Sequence, residues 1–219
     1  TFVVGPELMS SAGYGSHSIQ RPDGKFLVIL GAASASTNIY DPMANTFIAG
    51  PYLASAVEYC GHCILRPDGK FLIIHGAITT DVSIYDPVEN TLSSGPALTA
   101  VARDGAHSIQ RPDGKWLIVH GAVGSTSSIY SPTTNTMSVG PSLPLAVAGG
   151  AVALQRPDGK FLIVHGSSGT DTSIYDPGWA VTGHYESEAI NISQLNQSSL
   201  LRYATNGEGR IELAVKTAT

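Results

Sequence analysis

The chain has little charge. Only 13% of its 219 residues are Asp, Glu, Lys or Arg, about half the usual share of a soluble domain. Twelve basic residues against seventeen acidic ones leave a net charge of −5, which argues against a nucleic-acid surface. Two cysteines, Cys60 and Cys63, do not make a disulfide framework. No apolar run reaches the roughly 18 residues of a membrane span. No apolar stretch has the 10–12 residues that a helix wants. Nucleotide-binding loops, a Ser/His/Asp constellation and a carboxylate pair are likewise missing from the pattern.

What the chain has instead is a ruler. Arg-Pro-Asp-Gly-Lys occurs at residues 21–25, 66–70, 111–115 and 156–160, each copy 45 residues after the last. A fixed period of this length marks a stacked repeat architecture. The copies are 1–45, 46–90, 91–135 and 136–180. Thr1-Phe-Val-Val-Gly-Pro matches Thr46-Phe-Ile-Ala-Gly-Pro, so the chain starts inside a repeat and is expected to be a piece of something longer. Eight of the twelve basic residues sit in the four Arg-Pro-Asp-Gly-Lys segments, each beside its own Asp.

Each copy holds four short stretches rich in Val, Ile, Phe or Tyr: in the first, Phe2–Val4, Tyr14–Gln20, Lys25–Gly31 and Asn38–Tyr40. Their length and composition predict strands. Pro22-Asp23-Gly24 predicts a hairpin turn, with glycine for the left-handed position. Asp41–Asn45, Asp86–Asn90 and Ser131–Asn135 predict a second turn in which asparagine tolerates positive φ. Four antiparallel strands in 45 residues make one blade of a β-propeller.

The chain resembles kelch-type β-propellers, especially the galactose-oxidase-like kind. The resemblance rests on Asp-Gly-Lys-Phe-Leu-Ile-Ile-His-Gly (68–76), on Ile84-Tyr85-Asp86-Pro87 and on an apolar residue seven after the tyrosine. It covers residues 1–180. The usual glycine pair after the second strand is Gly-Ala here (Gly31-Ala32, Gly76-Ala77, Gly121-Ala122) or Gly166-Ser167, and the usual tryptophan is Phe2, Phe47, Leu92 or Met137. The expected fold is all-β: a propeller of four 45-residue, four-stranded blades, with strand Phe2–Gly5 closing the ring against Thr172–Tyr175 and so removing two exposed edges. The alternative is a larger propeller with further blades elsewhere. Residues 181–219 leave the repeat and are expected to form a short C-terminal β segment, either opening a β-sandwich module or packed as an appendage.

Several residues carry chemistry as strings. Cys60-Gly-His-Cys63 matches a thiol-disulfide motif, but that chemistry needs a helix N-terminus. Here the string falls on the first strand of the second copy, where residues three apart face opposite ways, so two small buried thiols are expected. Histidines recur at 17, 62 and 107 and at 75, 120 and 165. Their faces pack between blades, so they are expected to be structural, each bonded to backbone. The fourth copy has Val152 at the first of these positions, and the first copy has Leu30 at the second. A copper site of the kind the resemblance implies would need tyrosines, histidines and a cysteine to converge. Tyr40, Tyr85, Tyr130 and Tyr175 occupy equivalent repeat positions instead and are expected to pack blades. No cofactor, metal or enzymatic activity is expected.

The remaining signal is where the copies disagree. Strand 1–2 and strand 3–4 turns share one end of each blade and are nearly identical, which reads as scaffold geometry. The other end carries Ala33–Thr37, Ile78–Val82, Val123–Ser127 and Ser168–Thr172, together with Glu7–Gly13, Tyr52–Glu58, Ala97–Arg103 and Ser142–Ala148. Recognition loops have reason to diverge. There Tyr14, Glu58, Tyr59, Arg103 and Asp104 are expected to come near one another, with Asp81 and Asp171 farther out. This set suits a glycan or a protein partner; a solvated rim without a ligand is the alternative. The expectation is a non-enzymatic binding or structural module of a larger extracellular, cell-envelope or virion surface protein. A degenerate copper oxidase and a purely architectural spacer are the alternatives.

Overall fold

Each repeat lays down an antiparallel meander of short strands. The structure is a computed structural model that describes residues 2–59, 61–76, 79–121, 124–167 and 169–178. Sheet 1 consists of β1 (His17–Gln20), β2 (Phe26–Ile29), β3 (Thr37–Asp41) and β4 (Thr46–Ala49), hydrogen-bonded in that order. Sheet 2 repeats the plan with β5 (His62–Leu65), β6 (Phe71–Ile74), β7 (Val82–Asp86) and β8 (Thr91–Ser94). Sheet 3 follows with β9 (His107–Gln110), β10 (Trp116–Val119), β11 (Ser127–Ser131) and β12 (Thr136–Val139). Sheet 4 has three strands, β13 (Val152–Gln155), β14 (Phe161–Val164) and β15 (Thr172–Tyr175). The described residues hold strands and turns and no helix, so the all-β reading with four blade-like sheets holds. The expected C-terminal β segment at 181–219 lies outside the described residues.

The turns work as their residues require. Gly24, Gly69, Gly114 and Gly159 all take positive φ, between 75° and 80°. In each of these turns the aspartate accepts the backbone N–H of the lysine two residues on, as Asp23 does from Lys25 at 3.1 Å. Asn45, Asn90 and Asn135 hold φ of 52°, 55° and 51°, a region that asparagine tolerates better than most side chains. The strand expected over Tyr14–Gln20 starts only at His17. Gly15 at φ 82° and the Ser16 N–H on the Gly13 carbonyl turn the chain before it.

Apolar side chains are buried between neighbouring sheets rather than within one. Ile19, Leu27 and Ile29 of sheet 1 pack with Ile73 and Tyr85 of sheet 2. Ile64, Leu72 and Ile74 of sheet 2 pack with Ile118 and Tyr130 of sheet 3. Ile109, Leu117 and Val119 of sheet 3 pack with Phe161 and Ile163 of sheet 4. One face of each sheet is thus the floor for the next, as quasi-one-dimensional stacking demands.

Closure of the ring by the N-terminal strand is not made in this structure. Phe2–Gly5 forms no strand; Phe2, Val3 and Val4 are 104%, 89% and 97% exposed, and among the described residues β15 is the last strand of sheet 4. No buried apolar cluster among the described residues joins sheets 1 and 4. The sequence marks this segment as the outer strand of some sheet, but its seat on β15 depends on where sheets 1 and 4 lie in space.

Candidate functional site

The end of the blades where the repeats differ is built on a buried footing. After each outer strand the chain crosses under the loop that joins strands two and three of the same sheet. Val57, Ala102 and Val147 donate their N–H groups to Ser34, Thr79 and Gly124 at 2.8–3.1 Å, and Leu53, Leu98 and Leu143 donate to Ala35, Thr80 and Ser125 at 2.7–2.9 Å. All six side chains are buried. Stretches that read as free variable loops therefore contain two anchor positions per repeat. They escaped the sequence reading because two apolar residues four apart make no strand period. Their recurrence every 45 residues was the available signal.

On that footing stand the residues expected to meet. Tyr14 from sheet 1 and Tyr59 from sheet 2 stack with ring centroids 6.1 Å apart and planes 13° from parallel. The Arg103 guanidinium, at the lead-in to sheet 3, lies 6.0 Å from the Tyr59 ring centre, at the outer limit of cation–π contact. The three form a ladder across three sheets, with Tyr14 76% exposed. Arg103 Nε is buried without a hydrogen-bond partner, and its main-chain N–H donates to the His120 carbonyl. Glu58 and Asp104 are half-buried beside the ladder's residues in sequence. Asp81 is engaged elsewhere, accepting the Ser55 hydroxyl at 2.5 Å. Asp171 is exposed at the start of β15 in sheet 4.

Tyr59 also carries strain. It sits at φ 49°, a left-handed conformation that costs a bulky side chain on the order of 1–2 kcal/mol. In the other repeats the next residue is a glycine, Gly15, Gly105 or Gly150, at φ 82°–84°. The second repeat has Cys60 at that place, and the left-handed turn falls on the tyrosine. The substitution of cysteine for glycine was the legible sign of it. Gly15 permits the approach, since a Cβ there would stand 2.9 Å from the Glu58 carbonyl carbon.

The histidines have structural partners. His75, His120 and His165 bridge through Nε2 to the hydroxyls of Ser83, Ser128 and Ser173, on the next strand of their own sheets, at 2.8–2.9 Å. His17 and His107 turn Nδ1 onto the carbonyls of Gly15 and Gly105 at 2.8 Å. His62 reaches the Ser108 hydroxyl of sheet 3 at 2.6 Å. The expected backbone contacts are thus only part of the pattern; serine hydroxyls, and that of Thr126 on His120, supply the rest. Burial lowers the pKa of His17, His75 and His107, and brings His120 down to about 4. Among the described residues no group of three or more His, Cys, Asp or Glu is placed to hold a metal ion. Cys63 packs against the core between sheets 1 and 2. Burial raises its thiol to about 11, away from the thiolate that redox chemistry uses. Cys60 lies outside the described residues.

The identical end of the blades does more than turn the chain. Arg21 forks onto Asp23 of its own turn at 3.1 and 3.2 Å. It also donates Nη1 to the hydroxyl of Tyr85 at 2.6 Å and to Asn90 Oδ1 at 2.5 Å, both in sheet 2. Arg66 repeats this on Asp68 and on Tyr130 and Asn135 of sheet 3, at 2.8 and 2.7 Å for the two cross-sheet bonds. Lys25, Lys70 and Lys160 pair with Asp41, Asp86 and Asp176 at 2.9–3.0 Å. At the first two junctions the segments that read as plain hairpin scaffold are therefore clamps from one blade to the next; at the third, Arg111 reaches the Pro177 carbonyl at 3.4 Å instead, and its Nε is buried without a partner. Tyr85 and Tyr130 are fully buried as clamp acceptors.

Two cavities formed by described residues lie away from the ladder. One of about 90 Å³ sits between sheets 3 and 4, lined by apolar groups including Leu117, Leu143, Ile163 and Ile174. No protein-family model matches the chain, and no curated protein matches it.

Proposed function

We propose that this chain is a non-enzymatic binding module made of propeller-type blades, in a larger extracellular or virion surface protein. The observation that carries the reading is the Tyr14–Tyr59–Arg103 ladder, assembled from three sheets on the end where the repeats differ. A flat, exposed aromatic face suits the apolar face of a sugar ring, and the positive guanidinium beside it suits a sugar carboxylate or hydroxyl. A glycan is therefore the preferred ligand, with an extended protein segment as the alternative. The strained backbone at Tyr59 supports the same reading, because conformations of that cost cluster at binding sites.

The copper-oxidase reading is less well supported. Its tyrosines would have to converge on a metal, whereas the Tyr85 and Tyr130 hydroxyls are each taken by an arginine and an asparagine. The architectural-spacer reading makes a distinct prediction. A glycan array probed with the chain, then titration of any hit by calorimetry, is the test. Tyr59→Ala and Arg103→Ala are expected to weaken binding tenfold or more while leaving the fold intact. A blank array, with both variants silent in binding to any partner, leaves the spacer reading standing instead.

A further inference from the structure

The chain leading into each sheet passes close to that sheet's third strand, and one repeat position decides how the gap between them is filled. Met9 donates its main-chain N–H to Asn38 Oδ1 in sheet 1 at 2.9 Å. Thr99, two repeats later, donates its N–H to Ser128 Oγ in sheet 3 at 3.1 Å, and its hydroxyl lies 2.8 Å from the same oxygen. Ala54 holds this place between sheets 1 and 2. It has no hydroxyl to offer Ser83, and a cavity of about 280 Å³ opens there, lined by Tyr52, Ala54, Ser83, Leu92, Ser93 and Ser94. Pro144, with neither hydroxyl nor N–H, stands at the equivalent place before sheet 4 and borders the smaller apolar cavity.

Three departures from the repeat converge on the larger cavity. Position 52 is Tyr where the other copies have Glu7, Ala97 and Ser142. Position 54 is Ala where they have Met9, Thr99 and Pro144, and position 94 is Ser where the first and third have Ala49 and Val139. Register places Ser94 opposite Ser83 and Leu92 opposite Tyr85. Alternation then puts these four side chains on one face of sheet 2, the face that Tyr85 and Leu92 pack toward sheet 1. Ser83 is 1% exposed and bonded to His75 Nε2 at 2.9 Å, which makes it a fixed hydroxyl at the floor. Tyr52, 74% exposed, stands at the rim.

The lining selects the ligand. None of the six side chains is charged, so an ionic ligand would lose hydration with nothing to neutralise it. Serine hydroxyls both donate and accept, as the hydroxyls of a sugar do. The tyrosine ring offers a flat apolar surface to the C–H face of a pyranose. A volume of about 280 Å³ lies at the small end of ligand pockets, roughly 300–1,000 Å³, and fits one ring rather than several. We propose that this cavity binds one neutral sugar residue, with Ser83 and Ser94 on its hydroxyls and Tyr52 on its apolar face. In ligand class the site rests on the glycan reading above, but no residue of the ladder lines it.

The test fills the cavity with the residue that the next junction already uses. The full chain carrying Tyr59→Ala and Arg103→Ala serves as background, so that the ladder contributes nothing. D-glucose, D-galactose, D-mannose and N-acetyl-D-glucosamine are titrated into it one at a time, with affinities read by saturation-transfer NMR. At least one is expected to bind. Ala54→Thr, added to that background, is expected to lower the affinity tenfold or more without lowering the melting temperature, because Thr99 shows that the hydroxyl fits against the equivalent serine. Ser94→Val, the residue of the third repeat, is expected to weaken binding as well, and it keeps the test valid if Ala54→Thr misfolds. A background that binds none of these sugars overturns the proposal, and so does binding that both substitutions leave undiminished. The ladder reading is judged separately, by the loss of array binding on Tyr59→Ala alone, so either reading can fail without the other.

Discussion

Acid should loosen the junctions between sheets before it touches the ion pairs, and His120 gives the magnitude. Its side chain is 1% exposed, with Nδ1 on the Thr126 hydroxyl at 2.9 Å and Nε2 on the Ser128 hydroxyl at 2.8 Å. Burial puts its pKa at about 4, against about 6.5 in an unfolded chain. Between those values the unfolded state binds more protons, so stability is full above pH 6.5 and falls as the pH drops toward 4. The slope approaches 1.4 kcal/mol per pH unit, and the loss by pH 5 is about 2 kcal/mol for this residue alone. His17, His75 and His107 are lowered by burial too and add in the same window. The aspartates Asp41, Asp86 and Asp176 are held below the ordinary carboxylate value by their lysine partners. Their contribution is therefore lost only below about pH 4, and the two effects separate on the pH axis. Urea unfolding at pH 7.5, 6, 5 and 4.5, on the wild type and on His120→Gln at one protein concentration, reads the difference. The variant should start less stable and lose less on acidification, by roughly 2 kcal/mol at pH 5. If its stability falls as steeply as that of the wild type, the buried neutral imidazole is not what the acid is titrating.

Arg66→Ala removes a buried clamp to Tyr130 and Asn135 and should cost about 1.5–3 kcal/mol in chemical denaturation. Arg156→Ala, half-exposed and, among the described residues, paired with Asp158, should cost under about 1 kcal/mol. Equal losses would refute the clamp. Gly121→Ala would drive a Cβ into the Asp104 carbonyl at φ 68° and should lower thermal stability by at least 1–3 kcal/mol; an unchanged melting temperature would show that the loop yields. Gly149→Tyr, at the sheet-4 position equivalent to Tyr14 and Tyr59, meets only the Asp104 Cβ at 3.7 Å. It should fold normally and alter ligand preference, measured on the same glycan array.

The parts of the fold that sequence made legible are those set by single residues. Glycine at 24, 69, 114 and 159 and asparagine at 45, 90 and 135 dictate left-handed turns, and the structure has them. Short apolar runs rich in Val, Ile and Phe, Phe26–Ile29 and its copies, dictate strands. What stayed hidden is set by pairs far apart in the chain. Arg21 meets residues 64 and 69 positions away, a relation that no local pattern contains. The pairing of Tyr14 with Tyr59 was foreseeable from equivalence, because position 14 of one repeat neighbours position 14 of the next. The strain at Tyr59 has a sign in the sequence too, Cys60 in the place where the other repeats have glycine. Sheet 4, which has three strands among the described residues, shows the limit most clearly. The register says which residues form such a strand, but an edge accepts any chain that reaches it.

A repeat separates cohesion from recognition by position. The clamp residues are alike where one blade accepts its neighbour by the same contacts: Arg21 and Arg66 each find a tyrosine and an asparagine in the next sheet, while Arg111 reaches the Pro177 carbonyl. Residues at the opposite end are released from that requirement once Leu53, Leu98 and Leu143 anchor the crossing chain. Equivalent positions there stand in adjacent sheets, so a row of side chains is written by one residue choice per repeat. Positions 14, 59, 104 and 149 read Tyr, Tyr, Asp, Gly, and positions 58, 103 and 148 read Glu, Arg, Ala. The row is aromatic over sheets 1 and 2, charged at sheet 3 and bare at sheet 4. A ligand lying along it would meet a flat apolar surface at one end and hydrogen-bonding groups at the other, which gives it a direction. That polarity comes from the four places where the copies differ, while the forty-five-residue register only spaces them.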